Sequence, residues 1–493
     1  MNEFQIHDDR RREHPAPDHD VIIIGAGLSG IDAAYRLQES DPTIRYLILE
    51  RRANIGGTWD LFRYPGIRSD SDIFTLSFPF EPWRRPEALA QGPDIRDYVT
   101  TTAAKHHITE HIRFGQHVQT ADWDSTTDTW SIVADTDEGE VTYRTRFVYF
   151  ATGYYDYDEP YTPHFAGIDD FTGTVVHPQH WPADLDHSGR RIVVIGSGAT
   201  AVSLIPSLSE RAAHVVMLQR SPSYIASMTQ HHRANTVVRK VLPAKAAHQV
   251  IRTRYAAVTA AMVHGLHRFP KIGRKLLEKG VAKELPEGYP VDEHFSPSYN
   301  PWDQRMCMVP DGDLFAAITD GRVEMVTDRI DRIDPTGVVL TSGRHLDADV
   351  IVTATGLQLL AFGGIRIRVD DAEIKPHDRF VFKNHLLEDV PNLAWSVGYT
   401  NASWTLRADM TARAVAKLLR HMRSHGYTHA YPHLGPEPMA AQPLWALKAG
   451  YVERSPEALP KSGTRGKWRV RHNYYRDAVD HYLDDVEESM VFG

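Results

Sequence analysis

An α/β chain with two dinucleotide-binding units and a helical insertion is predicted by three observations. First, the glycine-rich turn Gly25-Ala26-Gly27-Leu28-Ser29-Gly30 follows directly on the β-branched run Val21-Ile22-Ile23-Ile24. Second, the turn Gly196-Ser197-Gly198-Ala199-Thr200-Ala201 follows Arg191-Ile192-Val193-Val194-Ile195 in the same way. Third, Ala151-Thr152-Gly153 is nearly repeated at Ala354-Thr355-Gly356, as if the chain crossed twice between two similar units. Short apolar runs suit parallel strands buried on both faces, and a strand–glycine turn–helix order is Rossmann-like. The 493 residues fit two or three domains.

In the first unit, Gly25 permits the tight turn and Gly27 lets the backbone approach a pyrophosphate. Gly30 lets the helix starting near Leu28 pack on the sheet. The free N–H groups of that helix face phosphate. The next strand, Tyr46-Leu47-Ile48-Leu49, ends at Glu50, placing an acceptor for ribose hydroxyls ~20 residues past the glycines. The second unit differs. Its turn ends in Ala201, and its strand His214-Val215-Val216-Met217-Leu218 runs into Gln219-Arg220-Ser221 without an acid. A carboxylate there would repel a 2′-phosphate and an arginine would pair with it, so this unit is expected to take NADP and not NAD.

The expected organisation is a mobile tail over residues 1–18, then the first nucleotide domain over 19–155. The second domain follows over 156–225, a helical insertion over 226–298, the rest of the second domain over 299–355 and the rest of the first over 356–493. Residues 129–133 and 146–150 read as strands of a sheet inserted before the chain returns to the nucleotide layer. Residues 233–283 hold twelve Lys or Arg and a single acid, Glu278. That stretch reads either as a solvated face drawing in an anionic nucleotide or as a patch touching anionic lipid.

Composition excludes other classes. A net charge of −9 argues against nucleic acid as the main partner. The single cysteine, Cys307, rules out an internal disulfide and a dithiol mechanism. It points to a reducing, cytoplasmic compartment, with peripheral contact at the inner membrane face as one reading of the basic stretch. Residues 1–20 lack the apolar core of a signal peptide, and no run approaches the ~20 apolar residues of a membrane span. No metal site is expected.

Between the two glycine turns lies Phe171-Thr172-Gly173-Thr174-Val175-Val176-His177-Pro178-Gln179-His180-Trp181-Pro182, an F-x-G-x-x-x-H-x-x-x-W-P linker. Position for position it resembles the fingerprint of the flavin-dependent Baeyer–Villiger monooxygenases. Gly56-Gly57-Thr58-Trp59 with Tyr64-Pro65-Gly66 and Asp70 resembles the flavin-contacting loop of that family. Segments around Tyr299-Asn300-Pro301-Trp302-Asp303-Gln304-Arg305 and Gly398-Tyr399-Thr400-Asn401 are similar to its ethionamide-activating branch. The resemblance covers nearly the whole chain after about Asp18.

The resemblance implies FAD held by Gly25, Gly27, Ser29, Gly30, Glu50, Thr58, Trp59, Asp60, Leu61, Asp70 and Val118. It implies NADP held by Arg68, Ser69, Gly196, Ser197, Gly198, Ala199, Thr200, Ala201, Gln219 and Arg220. His177 and Trp181 would couple the position of NADP to the state of the flavin. Arg305 would sit over the flavin and Asp70 would hold it, the two forming the catalytic pair. The implied reaction uses NADPH and O2, through a C4a-peroxyflavin, to convert ketones to esters or lactones, with sulfides and thioamides as further substrates. An N- and S-hydroxylating flavin monooxygenase is the alternative, though its linker usually lacks Trp-Pro and it lacks the arginine. A flavin-binding sensor without turnover is another. A different reading of Arg305 pairs it with Asp303 or Asp311 as a structural arginine.

Overall fold

The computed structural model describes residues 17–445 and 447–493, so the expected tail lies outside the described residues except for its last two positions. The first nucleotide layer is built on β1 (His19–Ile24), whose last four residues are buried. It lies parallel between β2 (Tyr46–Leu49) and the long strand Gly139–Phe150. The helix α1 (Leu28–Ser40) follows the glycine turn at the residue expected from the spacing.

The inserted strands expected before residue 150 are continuous with the nucleotide layer. The first half of Gly139–Phe150 pairs antiparallel with Thr129–Thr136, and its second half pairs parallel with β1. One twelve-residue strand thus belongs to both the meander and the nucleotide layer. His117–Asp124 and Arg366–Val369 continue the same sheet. Local alternation marks these strands; which sheet they join is set by pairing partners far along the chain.

The second layer is a five-stranded parallel sheet in the order Val323–Thr327, His214–Gln219, Arg191–Ile195, Val350–Thr353, Thr174–Val176. Its edge strand Thr174–Val176 is the middle of the F-x-G linker, and Phe171 is buried in the core on that sheet.

The Ala-Thr-Gly segments meet the glycine turns in both layers. Gly25 and Gly196 have φ of +107° and +143°, and a Cβ on either would stand 2.7 Å or 2.2 Å from the carbonyl oxygen of Ala151 or Ala354. No side chain fits there.

The insertion leaves the second domain after Ile225–Met228 and returns at Cys307–Pro310, which pairs parallel with it. Between them run the helices Arg233–Val241, Ala244–Arg268 and Pro270–Glu284. They do not serve the second domain alone. Ile251 and Tyr255 are buried in the core of the first domain, whereas Val281 is buried in the core of the second. The buried Arg252 donates to the carbonyls of Phe74, Thr75 and Ser77 at 3.2, 2.9 and 2.6 Å. It covers the C-terminal end of the short helix Ile73–Leu76, where a cation is favoured. No helix among the described residues is long and apolar enough to cross a membrane.

The close carbonyl contact predicts a contrast within one turn. Gly196→Ala should lower stability by about 1–3 kcal/mol through overpacking. Gly198→Ala, whose Cβ would meet nothing within 4 Å, should stay within about 0.5 kcal/mol of the parent. Urea unfolding followed by circular dichroism separates them, and equal midpoints would remove the steric account.

Candidate active site

A cleft of about 1160 Å³ is lined by both glycine turns. Of the residues expected at the site, Gly25, Gly27, Ser29, Glu50, Thr58, Trp59, Arg68, Ser69, Asp70 and Val118 line it from the first domain. Gly196, Ser197, Gly198, Ala199, Thr200, Arg220 and Arg305 line it as well.

Glu50 stands at the end of β2 with its carboxylate held by two backbone amides, Ala26 N–H at 2.7 Å and Arg52 N–H at 2.9 Å. Burial pushes its pKa up, and those two hydrogen bonds oppose the shift. The Ala26 bond fixes the acid against the glycine turn, where an acceptor for a ribose is needed.

Arg305 and Asp70 lie 235 residues apart in sequence and form an ion pair at 2.9 Å, with 37 % and 25 % of their side-chain surfaces exposed. The Asp70 carboxylate raises the pKa of the Arg305 guanidinium above its ordinary value, outweighing the opposite effect of burial. The pair is thus a fixed cation with one acid beside it, partly open to a ligand. Asp303 and Asp311 are engaged elsewhere: Asp303 lies 3.5 Å from Lys448, and Asp311 accepts from Gln230 N–H at 3.0 Å. Neighbouring Cys307 is buried, which pushes its thiol up to about 12 and keeps it from acting as a thiolate near neutrality.

Several expected residues do not reach the cleft. Asp60 is 1 % exposed and is held by Arg52 at 2.9 Å and by Arg63, so it stabilises its own loop. Leu61 and Ala201 are buried in the core of the second domain. Gly30 packs α1 against the turn, where a Cβ would come 1.9 Å from Gly25 O. Gln219 is buried, and its amide donates to His294 O at 2.8 Å and Thr327 Oγ1 at 2.9 Å. Trp181 packs against the second core. His177 accepts from Gln179 N–H at 3.1 Å. Burial, helped by the nearby His180, lowers its pKa to about 4, so the ring is neutral at pH 7. Arg68 does line the cleft, but Asp313 already matches its charge.

The structure adds residues that sequence reasoning did not assign to the site. Tyr154 stacks on Trp404 with ring centroids 5.1 Å apart, and Trp404 Nε1–H donates to Ser29 Oγ at 2.8 Å. Tyr155 donates to Thr58 Oγ1 at 2.8 Å. Tyr451 lines the cleft near Arg305. Arg454 lies over the Tyr161 ring at 3.4 Å, its pKa lowered by burial and by the nearby Arg220. The aromatic run directly after Ala151-Thr152-Gly153 was the available signal for Tyr154 and Tyr155. Arg454 could not be assigned to the site from local spacing, because its neighbour Arg220 is remote in sequence.

The glycines test whether nucleotides fit. A Cβ on Gly27 would meet nothing closer than Gly57 Cα at 3.5 Å, and one on Gly198 would meet nothing within 4 Å. The protein itself leaves room for a methyl group at both positions, and both face the cleft. That open space is what a pyrophosphate at a helix N-terminus would need.

A family model for pyridine nucleotide-disulphide oxidoreductases matches residues 22–265. The FAD-containing monooxygenase EthA of Mycolicibacterium smegmatis is 46 % identical over 473 residues, 96 % of each chain. Solved structures share the fold, the following two among them. An oxidised steroid monooxygenase bound to NADP has a TM-score of 0.75 at 21 % identity, covering 96 % of this chain and 99 % of that one. An ε-caprolactone-bound cyclohexanone monooxygenase has a TM-score of 0.75 at 19 % identity with the same coverage. Because the likeness to EthA runs along nearly the full length of both proteins, this chain belongs to the FAD-containing monooxygenases.

Proposed function

We propose that the protein is a Baeyer–Villiger monooxygenase that uses FAD, NADPH and O2 to convert ketones into esters or lactones, and that it also oxidises sulfides or thioamides. The observation that carries this reading is the Arg305–Asp70 pair inside a cleft shared by two nucleotide turns. The structural neighbours add support, one being bound to NADP and another to a lactone.

The turn at Gly25, Gly27 and Ser29, with Glu50, would hold FAD. The turn at Gly196–Thr200 would hold NADP, with Arg220 on its 2′-phosphate and Arg454 nearby. The chemistry FAD supplies when bound is hydride acceptance from NADPH and activation of O2. Arg305 supplies a fixed positive charge for the negative charge that develops on a ketone oxygen as its carbonyl carbon is attacked; a preorganised donor stabilises such charge best. Asp70 positions that guanidinium by a charge-assisted hydrogen bond. Tyr154, Trp404 and Tyr451 wall the cleft with aromatic surface that limits water. Burial raises the pKa of both tyrosines, so their phenols stay neutral.

The insertion supports peripheral contact with anionic lipid. Its helices and the joint between two of them expose Val237, Val241, Phe269 and Leu276 at 59, 74, 54 and 64 %, among the twelve Lys and Arg of residues 233–283. Apolar side chains interleaved with basic ones suit an interfacial helix.

Arg305→Ala should still bind FAD and be reduced by NADPH. Ester formation should fall on the order of 10²–10³, with NADPH still consumed and hydrogen peroxide released. Ester formed per NADPH oxidised decides this, and a wild-type yield would place the oxygenating charge elsewhere. Arg220→Ala should raise the KM for NADPH roughly 10- to 100-fold, the equivalent of losing about 1.5–3 kcal/mol of charge-assisted bonding, while leaving the KM for NADH nearly unchanged. Equal effects on both cofactors would refute the 2′-phosphate assignment. Vesicles rich in phosphatidylglycerol should sediment the enzyme at low salt and release it at high salt. Absent or salt-insensitive binding would exclude the electrostatic contact.

A further inference from the structure

The helix Thr405–His425 packs along α1, and its last turns carry His421 and His425, four residues apart and therefore on one face. Gly426, with φ of +76°, ends the helix and turns the chain away. The C-terminal strand Met490–Phe492 then pairs with Ala430–Pro432, and this carries Glu487 alongside the same helical face. One ligand atom from each of His421, His425 and Glu487 lies within 4.8 Å of the other two. We propose that these three side chains form a binding site for a divalent late transition-metal ion such as Zn2+, clamping the C-terminal segment to this helix. None of the three lines the cleft.

Three features suit the chemistry. First, the donor set is two imidazoles and one carboxylate, which favours Zn2+ and its late first-row neighbours over Mg2+ or Ca2+. Water completes the coordination, since His425 and Glu487 are exposed. Second, the imidazoles are oriented for it. His425 Nδ1 lies 2.9 Å from the His421 carbonyl oxygen. A carbonyl only accepts, so Nδ1 carries the proton and Nε2 presents a lone pair, the arrangement that orients metal-bound histidines. His421 Nε2 is shielded from solvent and makes no hydrogen bond, although Glu487 Oε1 stands only 3.3 Å away. Two ligand atoms ~2.0–2.1 Å from a tetrahedral Zn2+ are separated by roughly that distance.

Third, the charges nearby leave Glu487 free for a cation. Asp484 is paired with Lys383 at 2.9 Å and Lys467 at 2.7 Å, and Lys467 also takes Glu488 at 2.6 Å. Glu487 has no Lys or Arg partner among the described residues. Its position is fixed from both sides. Its own N–H donates to Asp485 Oδ1 at 3.0 Å, and Lys417, one turn before His421, donates to Asp484 O at 2.6 Å.

The test uses the full-length, FAD-loaded enzyme with any histidine tag removed, stripped with EDTA and titrated calorimetrically with Zn2+. One ion should bind per chain, Mg2+ should not bind, and saturating Zn2+ should raise the melting temperature. His425→Ala and Glu487→Gln, both at exposed positions that leave the fold intact, should each weaken Zn2+ binding at least roughly tenfold. Both should abolish the thermal shift without altering flavin content. Absence of stoichiometric Zn2+ binding, or binding unchanged in both variants, would overturn the proposal.

Discussion

Two contacts between backbone and bare glycine decide how this chain can be laid out. At Gly25 and again at Gly196, a carbonyl from a distant segment comes closer than any Cβ would allow. Each contact pins an Ala-Thr-Gly crossing against the start of a nucleotide-binding helix. Because the two crossings are equivalent, the two turns open onto the same cleft, and residues between them in sequence, such as the F-x-G linker, become the edge of the second sheet. The site needs both contacts at once, since neither domain alone encloses it.

The arginines around the cleft differ in how far the protein's own acids match them. Arg63, Arg52 and Arg68 are each held by an aspartate of the chain itself. Arg220 has no ion pair among the described residues, nor has Arg454, which lies near enough to feel its charge. Arg305 is the intermediate case, with one acid at hydrogen-bond distance and part of its surface open. An ion pair in this setting keeps the guanidinium charged and located yet still able to serve a second anion. The overall charge of −9 says little about this, because the sign of the field in the cleft is set by a few side chains.

The legible parts of the sequence were those fixed by local spacing. Strand, glycine turn, helix and terminal acid lie within thirty residues, so Glu50 and the turns could be placed directly, and α1 began at the expected residue. The Arg305–Asp70 contact joins distant segments and was legible only through a resemblance carried by whole motifs. The same resemblance also implied Asp60, Leu61 and Gln219, whose side chains do not line the cleft. These sit next in sequence to cleft residues but point into the core or into partners of their own, which side-chain direction decides and spacing does not. The Tyr154–Trp404 stack and Arg454 went unseen because each exists only where separate segments converge. That the inserted strands are continuous with the nucleotide layer was not legible for a related reason: one long strand changes partners midway.

Arg252 gives the insertion a significance beyond its surface. The three carbonyls it holds belong to the end of a short helix whose Thr75 hydroxyl lies 2.6 Å from Ser403 Oγ and whose Thr75 carbonyl accepts from Thr405. Between those two residues stands Trp404, stacked on Tyr154 at the cleft. A continuous polar relay therefore runs from the insertion to the aromatic wall. Trimming the insertion would take a charge-assisted partner from all three carbonyls and loosen the residues flanking Trp404, so the helices and the flavin half should open as one cooperative unit. For engineering, this insertion is part of the enzyme's interior architecture and not a detachable appendage.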